Sequence, residues 1–187
     1  MLAVARRATS GRLVVVMITM VVSGVGIWML SLASAAPSAK GLRPEDPIRL
    51  RVEVLEEYPH DRDAYTQGLL WDGGFLFEST GEYGKSSVRR VHRDTGEVVE
   101  SRDLPHDMFG EGLARIEDQL LQLTWQEQVA MVWSREGFRE LARHAYQGEG
   151  WGLCFDGRHL VMSDGSSALT FRDPETFDVV RQIVVTM

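Results

Sequence analysis

Three copies of one unit decide what this sequence can fold into. Gly68-Leu69 is followed by Leu76, Gly112-Leu113 by Leu120 and Gly152-Leu153 by Leu160, with the same offset from glycine to leucine each time. Successive copies lie 44 and 40 residues apart. After each come two alternating segments joined by a turn. These read SSVRRVHR, DTG and EVVESRDL, then QVAMVWS, REG and FRELARHAY, then SALTFRD, PETF and DVVRQIVV. Period-two alternation bounded by turn residues predicts antiparallel strands, four to a unit. Four strands in roughly 40–45 residues is the size of a propeller blade. A blade buries its faces only against neighbouring blades, and propellers typically close with 4–8 of them. The reading is therefore all-β, a β-propeller with about three blades in this chain. A further alternating stretch, RLRVEVLEE at residues 49–57, predicts an N-terminal closing strand. A three-unit β-array that does not close, or a β-sandwich, is the competing architecture.

The first forty residues read differently. Residues 1–12 carry Arg6, Arg7 and Arg12 and no acid, and residues 13–39 carry no charge. A basic start, a long apolar run and the small-residue triplet Ala33-Ser34-Ala35 predict a secretory signal cleaved near Ala35/Ala36. The run is also long enough for an uncleaved apolar anchor helix over residues 13–35. Both alternatives carry the rest of the chain across the membrane, so the expected location is periplasmic or extracellular. The expected organisation is signal peptide or anchor over 1–36, a Pro-rich linker over 37–47 and the propeller domain over 48–187.

Composition removes several function classes. With 20 basic against 27 acidic residues the net charge is -7, and no basic run offers a nucleic-acid surface. The single cysteine, Cys154, excludes an intrachain disulfide and reads as a core thiol in the apolar LCFD segment. His60, His92, His106, His144 and His159 stand in no zinc-binding spacing, so no zinc cofactor is expected. A structural cation in a propeller channel stays open. His60 and His106 read as loop residues. Neither Ser-rich stretch has the G-x-S-x-G elbow of a nucleophilic serine.

Chemistry is expected where the copies differ. The residue before each Gly-Leu is Gln67, Glu111 and Trp151. In a propeller this position begins the innermost strand of every blade at the same end, so an amide, a carboxylate and an indole would converge on one channel mouth. Four residues after each repeat leucine come Thr80, Thr124 and Asp164, followed by Gly81, Trp125 and Gly165. A carboxylate at Glu111 beside Trp125 and Trp151 would be partly desolvated, which raises its pKa toward the range useful for acid–base work. Glu78 and Asp164 read as residues that hold turns.

The segments YPHDRDAYTQGLLWDGG, FESTGEYGKSSVRRV, FGEGL, QLTW, GEGWGLCFDG and SDGSS resemble the plant-type glutaminyl-peptide cyclotransferases, also called glutamine cyclotransferases. The resemblance runs in order from about residue 50 to residue 186. It implies a five-bladed propeller and a zinc-independent acyltransferase, expected to act as a monomer. The implied reaction converts the N-terminal glutamine of peptide or protein substrates to pyroglutamate with release of ammonia. By motif it implies Glu111 as the acid–base residue and Gln67, Trp125 and Trp151 as substrate-pocket residues. Motifs the family carries further on, resembling NELE, WAN, NGIAWD and GK-x-WPK, are absent here, so about two family blades lie outside this sequence. The alternative expectation is an exported, non-enzymatic propeller scaffold or binding module, or an inactive fragment.

Overall fold

The computed structural model describes residues 50–186 and divides the chain into two units, residues 1–57 and 58–187. The signal or anchor segment lies outside the described residues. In the second unit twelve strands follow in chain order. They are β1 (Thr66–Asp72), β2 (Phe75–Thr80), β3 (Ser87–His92), β4 (Val98–Asp103), β5 (Gly110–Ile116), β6 (Gln119–Thr124), β7 (Val129–Ser134), β8 (Glu140–Ala145), β9 (Leu153–Phe155), β10 (Leu160–Ser163), β11 (Ala168–Arg172) and β12 (Val179–Val184). They form three four-stranded sheets, β1 to β4, β5 to β8 and β9 to β12, each a plain antiparallel meander. Each sheet is one copy of the repeat, and the three are the blades the spacing predicts.

The strand alternation sorts apolar side chains to opposite faces, and each face meets a different neighbour. Leu120 on β6 packs with Phe77, Leu113, Met131, Trp133 and Phe138 between the first two blades. Leu121, one residue on, packs with Ala114, Leu153, Leu160, Met162 and Phe177 between the second and third. Fully burying each such leucine contributes about 1.5–3 kcal/mol, so the blades hold together through these two layers.

The repeated glycine has a steric reason. A β-carbon on Gly68 would come within 2.6 Å of the Leu113 amide nitrogen, and one on Gly112 would meet the Trp151 carbonyl oxygen at 2.5 Å. Each glycine is the slot through which the next inner strand crosses. The Gly112 amide also donates to that Trp151 oxygen at 2.7 Å. This close crossing is what brings the residues before each Gly-Leu together.

Three expectations need correction. Residues 50–57 form no strand and lie exposed, because an alternating pattern makes a strand only where a partner ladder meets it. Cys154 is exposed, not a core thiol. Its repeat equivalent on β5, Ala114, is fully buried because the third blade covers it, whereas no described blade covers that face of β9. Glu78 holds no turn. It sits inside β2, fully buried, where its carboxylate accepts from Arg89 Nη2 at 2.7 Å, from His60 Nε2 at 2.9 Å and from the Thr66 hydroxyl.

Candidate functional site

The three differing positions do converge. Gln67 lies on β1 and Glu111 on β5, while Trp151 stands two residues before β9. Trp125 follows directly on β6, at the turn into β7. Together with Tyr65, Glu82 and Phe109 these four line one cleft of about 580 Å³. The volume suits a small ligand or the end of a peptide.

Glu111 is half-buried and accepts one side-chain hydrogen bond, from Gln67 Nε2 at 2.9 Å. Desolvation pushes its carboxyl up from the ordinary 4.5 to about 7. The Gln67 hydrogen bond works against that rise, and the negative charges of Glu127 and Glu149 add to it. A carboxyl group half-ionised near neutrality can take up or release a proton at little cost, the property an acid–base group needs. No cation pairs with Glu111 among the described residues, which leaves its charge to be set by water loss and neighbouring acids.

The aromatic side of the cleft is built from rings on the first two blades and at the start of the third. Phe109 stands edge-on to Tyr65, Tyr83 and Trp125, with ring centroids 6.1, 5.5 and 5.7 Å apart. Two acids tie this wall down. Glu127 accepts from the Tyr83 hydroxyl at 2.9 Å and from the Phe109 amide at 3.2 Å, and it raises the Tyr83 phenol above its ordinary value. Glu149 accepts from the indoles of both Trp125 and Trp151, each at 2.9 Å. Gly165 supports Trp151 from beneath. Its φ of +80° suits glycine, and a β-carbon there would meet the indole at 2.7 Å.

The neighbouring repeat positions are structural. Thr80 and Thr124 are buried, and their hydroxyls hold the turns to β3 and β7 through Ser87 and Val129. Asp164 caps its own turn by accepting from the Ser166 amide and hydroxyl, as the sequence predicts. No group of three or more metal-ligating side chains stands together among the described residues.

Sequence reasoning missed Tyr65, Phe109, Glu149, Glu82, Tyr83 and Glu127. The signal for the first three was present. Tyr65, Phe109 and Glu149 each stand two residues before Gln67, Glu111 and Trp151, so the repeat comparison extended two positions upstream finds all of them. Tyr83 and Glu127, which bond to each other, are likewise equivalent positions of the first two copies. Glu82 is different. It holds a left-handed φ of 79°, which costs a non-glycine residue of order 1–3 kcal/mol and is invisible in sequence.

The family described as glutamine cyclotransferase matches over residues 25–187. The glutaminyl-peptide cyclotransferase of Arabidopsis thaliana is 42% identical over 137 residues, which are 72% of this chain and 42% of that protein. The crystal structure of Myxococcus xanthus glutaminyl cyclase superposes with a TM-score of 0.67 and 38% identity, covering 72% of this chain and 56% of that one. The WD40 domain of Neurospora crassa Pan2 superposes with a TM-score of 0.54 at 13% identity over 64% of this chain and 36% of that one, a likeness of propeller fold alone. The chain thus spans about half the length of the relatives it matches.

Proposed function

The chain belongs to the glutamine cyclotransferase family, and on that premise we propose that its cleft cyclises the N-terminal glutamine of peptides to pyroglutamate with release of ammonia. The observation that carries the reading is the Gln67–Glu111 pair, which holds a carboxyl group with a midpoint of about 7 inside an aromatic cleft. In the reaction the substrate's α-amine attacks its own side-chain amide carbon and closes a five-membered ring. A C–N bond forms, the amide C–N bond breaks, the attacking nitrogen loses a proton and the departing nitrogen gains one. Glu111 accepts the first proton and returns it to the leaving group. Such acid–base participation contributes typically 10²–10⁴-fold. Trp125 and Trp151 form the apolar wall against which the glutamine side chain folds back, which supplies proximity and keeps water from the amide carbon.

The test is ammonia release from a peptide with N-terminal glutamine, with and without Glu111→Gln. Release by the wild-type chain and its loss in the variant support the proposal. Equal release by both would remove Glu111 from the mechanism. Binding of the peptide with no release would favour a binding module instead.

We propose that the reaction takes place outside the cytoplasmic membrane. The basic flank, the uncharged run over residues 13–39 and the Ala33-Ser34-Ala35 triplet support export. Cell fractionation with N-terminal sequencing tests this. A chain recovered from the cytosol with an intact Met1 would refute it.

A further inference from the structure

Glu149 lies outside the lining of the cleft, yet one of its oxygens holds two of the lining indoles at once. Trp125 Nε1 and Trp151 Nε1 both donate to Glu149 Oε2, each at 2.9 Å. Its other oxygen accepts from Gln126 Nε2 at 3.2 Å. The two indoles come from different blades. Trp125 leaves the end of β6, whereas Trp151 leads into β9. The backbones are tied beneath them, since the Gly150 amide donates to the Trp125 carbonyl at 2.8 Å and the Gly112 amide to the Trp151 carbonyl at 2.7 Å. An indole held only by packing can rotate about two side-chain bonds, and Trp151 is 48% exposed. A shared charged acceptor removes that freedom from both rings together.

We infer that Glu149 is the positioning residue of the cleft, clamping Trp125 and Trp151 into one wall across the junction of the second and third blades. Its charge has a second effect. Three indole and amide donors hold the Glu149 carboxyl below its ordinary value, so it stays ionised while Glu111 titrates. Glu111 is then faced by the Gln67 amide, by the acids Glu127 and Glu149, and by Glu82 on the same cleft. The Glu149 charge disfavours the ionised form of Glu111 and helps keep its proton available near neutrality. The link to catalysis rests on the cyclotransferase reading; the clamp itself does not.

The experiment uses the full chain labelled with ¹⁵N at tryptophan and ¹³C at the glutamate carboxyl. Indole resonances are assigned with Trp125→Phe and Trp151→Phe. In Glu149→Ala, the Trp125 and Trp151 Nε1–H signals are expected to shift together and to exchange about tenfold faster or more, as loss of a charged hydrogen bond implies. Trp133, whose indole donates to Gln122 at 3.0 Å, is expected to stay unchanged. Glu149→Gln keeps the acceptor and loses the charge. It is expected to hold both indoles near their wild-type signals while the Glu111 midpoint falls. Unchanged signals in Glu149→Ala, a shift in one indole only, or a parallel shift in Trp133 would each overturn the clamp. An unmoved Glu111 midpoint in Glu149→Gln would overturn its electrostatic effect. Ammonia release is read separately. If the wild-type chain releases none, the cyclotransferase reading fails while the indole signals still decide the clamp.

Discussion

Two carboxylates on adjacent blades of this fold face opposite circumstances. Glu78 on β2 is fully buried and fully partnered. Arg89 reaches it with Nη2 at 2.7 Å and Nε at 3.2 Å, His60 at 2.9 Å, and Arg89 also bonds Asp61 at 3.0 Å. Glu111 on β5 is only half-buried, yet among the described residues its one side-chain partner is a neutral amide and its charged neighbours are other acids. Depth of burial ranks these two residues the wrong way round for chemistry. A carboxylate clasped by a guanidinium has its oxygens committed to fixed partners, whereas the one at Glu111, pushed up to about 7 by desolvation, can change state near neutral pH. The Glu78 cluster fastens residues 60–66 to the first blade, and the Glu111 cleft is where a proton can move.

The comparison breaks most readily at Glu111. Under the proposed reaction, Glu111→Gln should lower kcat by about 10²–10⁴-fold with little change in KM, because proton transfer rather than binding is lost. The fold should persist, as the amide is nearly isosteric. The measurement is steady-state ammonia release together with a thermal melt. A variant with unchanged kcat would make Glu111 no more chemical than Glu78.

The converse cut is Arg89→Ala, which leaves Glu78 buried without its guanidinium. Removing one partner of a buried pair typically costs 3–5 kcal/mol, so a loss of about that size is expected in denaturant unfolding. Glu78→Gln should cost less, since the amide still accepts from Thr66 and His60. A loss in Arg89→Ala below about 1 kcal/mol, the scale of surface pairs, would show that the cluster is not the fastening it resembles.

Much of this was legible in the sequence, and the rest was hidden for identifiable reasons. The three blades followed from the Gly-Leu offset because backbone crossing at Gly68 and Gly112 tolerates no other residue. Gln67, Glu111, Trp125 and Trp151 stood out because a repeat that changes chemistry at one position is not using it for packing. Glu149 and Glu127 occupy repeat positions just beyond the ones compared, and their role stayed hidden because nothing local to GEGW or WQEQ shows which donors will arrive. Glu78 was misread for the same reason. Its partners Arg89 and His60 reach it through the β2–β3 ladder and a loop far off in sequence. Cys154 and residues 50–57 misled because an apolar or alternating pattern reports what a segment could pair with, not what lies beside it.

Glu111 should also mark the stability of the fold with pH. Its folded pKa, about 7, lies above the ordinary 4.5, so the folded state holds the proton more tightly. The associated stability is fully present below about pH 4.5 and is lost as pH rises through about 7. Discounted for the solvent that reaches a half-buried group, the effect is about 1–2 kcal/mol. Glu111→Gln removes this titration. The variant should be more stable than wild type by that amount at pH 8 and indistinguishable at pH 4.5. Denaturant melts at the two pH values check this, and an equal difference at both would assign the effect to packing instead of ionisation.

The smallest effect separates the two acids that surround Glu111. Glu127 raises its carboxyl at least as much as Glu149 does, while bonding Tyr83 and the Phe109 amide on the opposite side of the wall. Glu127→Gln removes the charge and keeps one acceptor oxygen, which serves the Phe109 amide, while its amide nitrogen faces the Tyr83 hydroxyl, which can turn to accept. The Glu111 midpoint should therefore fall by a few tenths of a pH unit, with desolvation, the larger cause, still in place. A ¹³C titration of the Glu111 carboxyl resolves such a shift. His60→Ala is the matched control, because His60 belongs to the Glu78 cluster and should leave that midpoint where it is. If His60→Ala moved the Glu111 midpoint as far as Glu127→Gln does, the two carboxylates would be electrostatically joined, and the division between a fastening and a working acid would not hold.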